Sequence, residues 1–284
     1  MTAAADYVTL PSGEPIPALG QGTWFFGEDA ARAGDEVAAI RLGLDLGMTV
    51  VDTAEMYGDG GAEVVVGEAI AGRRDEVFLV DKVLPHHATR RGTVRACEAS
   101  LDRLGVEHVD LYLLHWRAGV PLAETIAGFD DLLDAGKIRY WGVSNFDAGD
   151  MAELADAPHG EQVHTNQILY NLTRRGPEYD LLPLLRERRV PVMAYSPIEQ
   201  GRLLGHPALR EVAARHDATP AQIALAWVLR DRNGGGVMAI PRSANLAHVR
   251  ENAAARDIRL TADDLRALDA AFAPPTRPRP LEML

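Results

Sequence analysis

The chain has 284 residues and a net charge of −12, with 47% hydrophobic and 25% charged residues, a composition that is typical of a folded globular protein and excludes a disordered one. The acidic balance argues against nucleic acid as a partner, and no apolar run approaches the ~18 residues that span a membrane. The first residues lack the basic and apolar regions of a signal peptide, and the single cysteine, Cys97, cannot form an internal disulfide, so we expect a cytoplasmic protein.

Short apolar runs alternate with longer segments of helical period along the whole chain. The runs that predict strands cover residues 19–23, 50–53, 77–82, 109–115, 138–145, 163–167, 190–196 and 237–241. Most of them are apolar at nearly every position, as is typical of parallel strands that are buried on both faces. Their spacing is that of repeated strand–helix units.

The segments between these runs carry apolar residues at helical spacing. One such helix has apolar residues from Val94 to Leu104, with Thr93 as its predicted N-cap and Gly105 just past its end. The interval before the last strand is long enough for two helices, separated near 218–220.

Eight strand–helix units in about 250 residues predict an α/β fold of the (β/α)8, or TIM-barrel, class. A doubly wound open sheet is the alternative, but the segment LGQGTW at the first strand lacks the GxGxxG turn that usually marks it. The preceding segment VTLPSGEPIP predicts a β-hairpin around Ser12 and Gly13 that covers the bottom of the barrel. Because no glycine- and proline-rich linker divides the chain, we expect residues 1–284 to form a single domain.

Polar residues at the carboxyl ends of three consecutive strands are candidates for catalysis, since TIM barrels carry their active sites at that rim. Asp52 lies at the end of the second predicted strand, Lys82 at the end of the third and His115 at the end of the fourth, and Tyr57 lies on the loop after Asp52. Neighbouring strands are about 4.8 Å apart, so the four side chains can converge. Each has a purely structural interpretation as a cap, a strand end or a packed ring, but their joint placement favours catalysis.

This set of residues suits the donation of a proton by a tyrosine. A free phenol has a pKa of about 10, and an ammonium about 4 Å away favours the phenolate by about 4 kcal/mol at an effective dielectric constant of about 20. We therefore expect Lys82 to lower the pKa of Tyr57 toward neutral, and Asp52 to keep Lys82 charged. We expect His115 to orient a substrate carbonyl and to share a hydrogen bond with Tyr57.

These motifs resemble those of the aldo-keto reductases, and the resemblance runs along essentially the whole chain. DTAEMYG at 52–58, the lysine of VDKV and the histidine of LLHW match the Asp-Tyr-Lys-His tetrad of that family one by one. The resemblance implies a TIM barrel with Asp52, Tyr57, Lys82 and His115 as catalytic residues. The implied reaction is the reduction of aldehydes and ketones to alcohols by hydride transfer from NADPH, without a metal, and with Tyr57 as the proton donor.

The resemblance also implies which residues contact NADPH. Ser144 and Asn145 of GVSNF, together with Gln167, would hold the nicotinamide carboxamide, and Tyr195 of AYSP would stack on the nicotinamide ring. The loop that follows would lie against the pyrophosphate through Ser196, Ile198, Gln200 and Gly201.

The segment IPRSANLAHVREN would meet the adenosine end of the cofactor. In the resemblance, Arg242 and Ser243 hold the 2′-phosphate, while Glu251 and Asn252 meet the adenine. Arg242 stands where the family commonly has lysine, and His248 stands where it often has arginine. Because arginine also grips phosphate well, we expect NADPH to be preferred over NADH.

The substrate pocket is expected to have aromatic walls. Trp24 and Trp116 match aromatic positions that line this pocket in the family, and they would flank a carbonyl held by His115. His86 and His87, after the third strand, are further candidates for facing the pocket. The sequence most resembles bacterial members grouped with methylglyoxal reductases, which implies methylglyoxal or other small aldehydes as substrates. We also expect the protein to be a monomer.

Other functions stay open at this point. Lys82 could form a Schiff base with a carbonyl substrate, as in a class I aldolase. A non-catalytic protein with the same fold could bind NADPH as a sensor. A metal hydrolase is the weakest alternative, because the spacing of its candidate ligands matches no common metal-site pattern; those ligands would be Asp52, Glu55, His86 and His115.

Overall fold

Parallel strands form the centre of the fold, and helices surround them. The structure is a computed structural model that describes residues 7–231 and 236–284. In these ranges the strands are β1 (Tyr7–Thr9), β2 (Pro15–Pro17), β3 (Gln21–Gly22), β4 (Val50–Asp52), β5 (Phe78–Val83), β6 (Val109–Leu114), β7 (Ile138–Ser144), β8 (Asn166–Leu169), β9 (Val192–Tyr195) and β10 (Val237–Ala239). The helices are α1 (Ala33–Asp45), α2 (Gly61–Ile70), α3 (Arg90–Leu104), α4 (Leu122–Asp134), α5 (Ala148–Asp156), α6 (Leu181–Glu187), α7 (Pro207–Arg215), α8 (Pro220–Val228), α9 (Leu246–Ala254) and α10 (Ala262–Ala271).

The eight strands β3 to β10 lie side by side in chain order and are all parallel. A parallel bridge between Leu19 and Ala239 joins the first of them to the last, and Gly20 N donates to Ala239 O at 2.9 Å. A side chain at Gly22 would place its Cβ atom 2.8 Å from the carbonyl oxygen of Ile240, so this closure needs a glycine. The sheet is therefore a (β/α)8 barrel, and the predicted fold class is confirmed.

Nearly all residues of the barrel strands are buried, as their apolar sequences predict. Every residue of β5 and β6 is buried. Seven of the eight predicted strands lie within about two residues of their predicted ends. The sixth, predicted at 163–167, is β8 at Asn166–Leu169, because a short 3-10 turn at Gly160–Gln162 leads into it and delays its start.

The hairpin β1–β2 closes the bottom of the barrel, as predicted. Its strands are antiparallel, and Val8 and Ile16 point into the core with at most 3% of their surface exposed. Glu14 in the turn accepts hydrogen bonds from Arg139 Nη2 at 2.6 Å and from Tyr140 Oη at 2.7 Å. Both donors lie at the start of β7, which is the bottom end of a parallel strand.

The helix predictions hold in outline, with one error at an N-terminus. Two helices, α7 and α8, precede β10, as predicted. The N-cap of α3 is Thr89, whose hydroxyl accepts from Gly92 N at 3.1 Å, so the prediction of Thr93 was wrong. The first turn of α3 holds exposed Arg90 and Arg91, which carry no apolar signal that would have revealed it. In the described part of the chain, no helix is both long and apolar enough to cross a membrane.

Candidate active site

A cavity of about 770 Å³ opens at the carboxyl ends of the barrel strands. Its volume is within the range of small-molecule and cofactor sites, roughly 300–1,000 Å³. Apart from Lys82, the residues predicted for catalysis, for cofactor binding and for the aromatic walls all line it; these are Trp24, Asp52, Tyr57, His115, Trp116, Ser144, Asn145, Gln167, Tyr195, Ser196, Ile198, Gln200, Gly201, Arg242, Ser243, His248, Glu251 and Asn252. The structure thus brings together residues that follow most of the barrel strands.

Three of the four predicted catalytic side chains form one hydrogen-bonded group. The Nζ atom of Lys82 lies 2.8 Å from Asp52 Oδ1 and 2.9 Å from Asp52 Oδ2. It also donates to Tyr57 Oη at 3.2 Å and to the carbonyl oxygen of Thr53 at 2.8 Å. Lys82 is fully buried, so its ammonium reaches the cavity only through Tyr57 and Asp52.

The backbone after β4 places Tyr57 over Lys82. The chain turns sharply at Gly58, Asp59 and Gly60, which have φ angles of 57°, 50° and 88°. A Cβ atom at Gly58 would lie 2.9 Å from the carbonyl oxygen of Phe26, so a larger residue would push the loop outward. This tight turn lets the chain enter α2 while the ring of Tyr57 stays above the end of β5.

Burial, rather than the neighbouring ammonium, decides the pKa of Tyr57. Loss of water around the ring raises the pKa above the ordinary value of 10; Lys82 lowers it and Asp52 raises it, and the net shift is upward. The prediction that Lys82 brings the pKa of Tyr57 toward neutral was therefore wrong in its net direction. The Coulomb argument had the sign of the lysine's effect right but left out the desolvation of a nearly buried phenol.

Lys82 stays charged, as expected. Burial by itself lowers the pKa of Lys82. The charges of Asp52 and Tyr57, and the hydrogen bonds that Lys82 donates to them, raise it, and the resulting pKa lies above 10.5. For Asp52, burial raises the pKa, and the contacts with Lys82 and Gln167 offset part of that effect.

His115 contacts Tyr57 through its ring and not through a hydrogen bond. The two ring centroids are 5.8 Å apart at an interplanar angle of 79°, so the predicted hydrogen bond is absent between these described side chains. Burial, with a smaller contribution from Lys82, lowers the pKa of His115 to about 2. The imidazole is therefore neutral at physiological pH, and its Nδ1 atom is buried with no partner in the described part of the chain.

The predicted nicotinamide-binding residues are connected to one another and to the catalytic group. Gln167 Nε2 donates to Asp52 Oδ1 at 2.7 Å. Asn145 Nδ2 donates to the carbonyl oxygen of His115 and to Ser144 Oγ, each at 3.1 Å. Tyr195 Oη donates to Asn145 Oδ1 at 2.9 Å. The side chains at the ends of β7, β8 and β9 are therefore held in fixed positions at the rim.

Arg242 lines the cavity and has buried donors that suit an anionic ligand. Its Nε and Nη2 atoms are buried, and neither has a hydrogen-bond partner among residues 7–231 and 236–284. Its guanidinium lies 5.0 Å from the centroid of the Phe26 ring. Burial lowers the pKa of Arg242 and the nearby positive charge of Arg32 lowers it further, while Glu36 and Glu28 offset part of this effect. A phosphate would satisfy these donors and relieve the repulsion between the two arginines.

The apolar part of the cavity has more walls than the sequence predicted. Trp24 and Trp116 line it, and the ring of Trp24 stacks on that of Phe25 with centroids 4.5 Å apart. Met56, Met283 and Leu284 also line it. No periodic pattern marks the irregular segment that carries the last two, so sequence reasoning could not place it at the barrel mouth.

His86 and His87 do not line the cavity. The Nδ1 atom of His87 lies 3.0 Å from the carboxylate of Glu55, which also accepts from Leu84 N at 2.6 Å. The two histidines and Glu55 therefore belong to the wall of the barrel beside the site. Across the described ranges, no group of three or more histidine, cysteine, aspartate or glutamate residues is arranged to hold a metal ion.

Comparisons with known proteins agree with this geometry. The sequence profile of the Aldo/keto reductase family matches residues 18–273. The chain is 50% identical over 274 residues to methylglyoxal reductase YeaE of Escherichia coli K12, an alignment that covers 95% of each protein. A crystal structure of an aldo-keto reductase from Klebsiella pneumoniae in complex with NADPH superposes with a TM-score of 0.96 at 49% identity, covering 99% of this chain and 100% of that one. A second Klebsiella pneumoniae structure, with NADP and acetate, gives the same values.

Proposed function

This chain belongs to the aldo/keto reductase family, and from this premise we propose that it reduces an aldehyde or ketone to an alcohol with NADPH. The observation that carries the proposal is the position of Lys82 Nζ, 3.2 Å from Tyr57 Oη and 2.8 Å from Asp52, directly behind the large cavity. The cofactor named for the Klebsiella pneumoniae relatives supports NADPH as the reductant.

The residues around the cavity fit this cofactor. Ser144, Asn145 and Gln167 would hold the carboxamide, and Tyr195 would present its ring to the nicotinamide. The buried and unpaired nitrogen atoms of Arg242 suit the 2′-phosphate that distinguishes NADPH from NADH. When bound, NADPH would supply the hydride that reduces the carbonyl carbon.

The rest of the cofactor would lie along the rim. Ser196, Ile198, Gln200 and Gly201 are available to the pyrophosphate. The adenosine end would be contacted by Ser243, His248, Glu251 and Asn252, which line the same cavity.

Tyr57 and His115 have different roles at the substrate oxygen. His115 is neutral, and a proton on its buried, unpartnered Nδ1 would be a donor without an acceptor. We therefore assign the proton to Nε2, which donates to the carbonyl oxygen and orients it. The hydroxyl of Tyr57 gives its proton to the alkoxide oxygen, and Lys82 stabilises the phenolate that remains until solvent restores the proton.

The substrate would be an aldehyde or ketone with an uncharged substituent. Trp24 and Trp116 give the carbonyl apolar neighbours, and the cavity is large enough for small aldehydes. The similarity to methylglyoxal reductase YeaE makes methylglyoxal the first compound to test.

The proposal also covers the oligomeric state, the domain organisation and the location of the protein. The cavity and all the proposed site residues lie within one chain, so we propose that a monomer is sufficient for the reaction. The family match over residues 18–273 and the packed hairpin at the bottom of the barrel favour a single domain spanning 1–284. Cys97 is a buried free thiol, which favours a cytoplasmic location.

A steady-state screen tests the proposed function. The purified protein is mixed with NADPH or NADH and with methylglyoxal and a panel of small aldehydes and ketones, and the loss of reduced cofactor is followed. We expect turnover with NADPH and a lower kcat/KM with NADH. Binding of NADPH without turnover of any carbonyl compound would contradict the proposal and favour the sensor.

A Schiff-base enzyme is disfavoured by the state of Lys82. Attack on a carbonyl needs a neutral amine, whereas Asp52 and Tyr57 raise the pKa of Lys82 and keep it charged. Treatment with substrate and borohydride is therefore expected to leave Lys82 unmodified.

A further inference from the structure

Arg174 lies between two walls of the cavity and binds a carboxylate in each. Its Nε and Nη2 atoms donate to Glu199 Oε1 at 3.2 and 2.8 Å. Its Nη1 atom donates to Glu282 Oε1 at 2.5 Å. The guanidinium itself does not line the cavity, so any effect on a ligand must act through these two partners.

Glu199, the first carboxylate partner of Arg174, belongs to a loop with a strained backbone. Ser196, Glu199 and Gln200 have φ angles of 46°, 48° and 54°, a conformation that non-glycine residues rarely adopt and that costs of order 1–3 kcal/mol for each residue. Such a loop persists only when its surroundings fix it. The carboxylate of Glu199, with only 5% of the residue exposed, is bound by Arg174, by Asn171 Nδ2 at 2.8 Å and, from within the loop itself, by Arg202 Nη2 at 3.2 Å.

Asn171 strengthens the same anchor. Its Nδ2 atom also donates to the carbonyl oxygen of Ser196 at 2.9 Å, and its Oδ1 atom accepts from Arg174 N at 3.1 Å. The loop is thus attached to the residues that follow β8 at both of its strained ends. The neighbours of Glu199 in the loop, Ile198 and Gln200, line the cavity on the side proposed for the cofactor.

Glu282, the second carboxylate partner of Arg174, belongs to the segment that carries Met283 and Leu284. Leu281 packs against the core, but residues 282–284 belong to no helix or strand. Met283 and Leu284 line the cavity while 56% and 44% of their surfaces remain exposed. Packing alone therefore fixes these two side chains weakly. Two polar contacts hold the segment at the mouth: the backbone of Leu284 hydrogen-bonds with the hydroxyl of Tyr195, and Glu282, next to Met283, forms an ion pair with Arg174.

We propose that Arg174 is a positioning residue that sets two walls of the site at once. Through Glu282 it holds Met283 and Leu284 as an apolar wall for the substituent of the carbonyl substrate. Through Glu199 it holds the loop that contacts the cofactor. The inference rests on the proposed function and adds that the enzyme prefers aldehydes with a large apolar substituent, a preference that depends on Arg174 and Glu282.

The chemistry of arginine explains why a single residue can do both. Its planar guanidinium offers several N–H groups in fixed directions, whereas lysine offers a compact point charge. Lysine at position 174 would keep the positive charge but could not bind two carboxylates on opposite sides in the same way. The variant Arg174→Lys therefore separates the bridging geometry from the charge.

The first experiment compares Glu282→Gln with wild type. Two NADPH-dependent reductions are measured, of propanal and of 3-phenylpropanal, which present the same aldehyde group with and without a phenyl ring. Wild type is expected to have the higher kcat/KM with 3-phenylpropanal. In Glu282→Gln, the ratio of the two kcat/KM values is expected to fall about three- to fivefold, the size appropriate to a half-exposed ion pair, with the dissociation constant of NADPH within about twofold of wild type.

The matched control is Glu107→Gln. Glu107 is exposed and lies before β6, at the opposite end of the barrel. This variant is expected to keep the wild-type ratio. A ratio in Glu282→Gln that equals that of the control, in an enzyme that reduces both aldehydes, would overturn the inference and leave the proposed function standing.

The second experiment uses Arg174→Lys, alone and combined with Glu282→Gln. Arg174→Lys is expected to lower the aldehyde ratio at least as much as Glu282→Gln does. It is also expected to raise the dissociation constant of NADPH by at least about threefold, measured by quenching of protein fluorescence without substrate. The double variant should have the same aldehyde ratio as Arg174→Lys alone, because both changes break one contact.

Three results would contradict the bridging role. Additive effects of the two substitutions on the ratio would mean that the residues act separately. A lower Tm in Arg174→Lys with an unchanged ratio and unchanged NADPH affinity would mean that Arg174 only stabilises the fold. If the wild-type enzyme prefers propanal, Met283 and Leu284 do not form an apolar wall for the substrate. Failure of wild type to oxidise NADPH with any carbonyl compound would instead overturn the proposed function itself.

Discussion

The ammonium of Lys82 lies 3.2 Å from the hydroxyl oxygen of Tyr57, yet the pKa of that hydroxyl lies above its ordinary value. Burial makes the phenolate costly, and the lysine recovers only part of that cost. Burial therefore keeps the proton on Tyr57 in the resting enzyme, and the contact with Lys82 stabilises the phenolate that forms once the proton has moved. A donor of this kind needs no acidic phenol in the resting enzyme.

The pH dependence of carbonyl reduction follows from this state of Tyr57. Because its pKa is raised and that of Lys82 is raised as well, neither group changes protonation between pH 7 and pH 9. We expect kcat for reduction to change by less than about twofold over that range. A steady-state pH profile at saturating NADPH and aldehyde checks this, and a steep loss of kcat centred below pH 9 would mean that Tyr57 is acidic after all.

Replacing Lys82 alone should lower the free energy of unfolding more than replacing Lys82 and Asp52 together. Lys82→Met leaves the carboxylate of Asp52 buried without its cation, which is expected to cost about 3–5 kcal/mol in the free energy of unfolding. Asp52→Asn combined with Lys82→Met should recover most of that loss, while neither variant reduces aldehydes. Equal stabilities of the single and double variants in chemical denaturation would show that the charge of Asp52 is not the cause.

His115 should make the protein sensitive to acid. The unfolded chain protonates this residue near pH 6.5, whereas the folded chain does so only at about pH 2 because the ring is buried. The unfolded state therefore binds more protons between those values, and stability falls as the pH falls below about 6.5. His115→Asn should remove this loss, by up to about 1.4 kcal/mol per pH unit.

Chemical denaturation at several pH values between 7 and 4 measures this difference. The exposed His86→Asn variant serves as the control and should follow wild type. Parallel curves for wild type and His115→Asn over this range would contradict a buried, neutral imidazole.

Arg242 should decide between NADPH and NADH. Arg242→Gln removes the buried donors that suit a 2′-phosphate, and we expect the dissociation constant of NADPH to rise at least about tenfold, the loss of one charge-assisted contact. That of NADH should change less than about threefold. The control is Arg91→Gln, an exposed arginine in α3. An equal loss of affinity for both cofactors would place Arg242 outside the phosphate site.

The sequence was enough to predict the barrel and most of its rim, for a simple physical reason. Buried parallel strands need continuous apolar runs, and such runs marked all eight barrel strands. Residues at the ends of those strands, such as Asp52 and Asn145, then had to meet at one rim. The pattern of apolar runs does not locate residues that lie outside the strand–helix repeat.

The depth of burial and the irregular segments could not be read from the sequence. The rise in the pKa of Tyr57 depends on how much water the folded chain excludes, which no local pattern records. The segment of Met283 and Leu284 is held at the mouth by contacts with distant residues, among them the ion pair between Arg174 and Glu282, which are 108 positions apart. Thr93 looked like a cap because the true first turn of α3 is exposed and polar.

The most direct test of the account is the replacement of Tyr57 by phenylalanine, which removes one hydroxyl and keeps the ring. With NADPH and methylglyoxal or another accepted aldehyde, kcat/KM is expected to fall by about 10²–10⁴, while the dissociation constant of NADPH stays within about twofold. Tyr179→Phe, at an exposed tyrosine, should behave as wild type. Turnover by Tyr57→Phe at a rate close to wild type would show that the proton comes from another group.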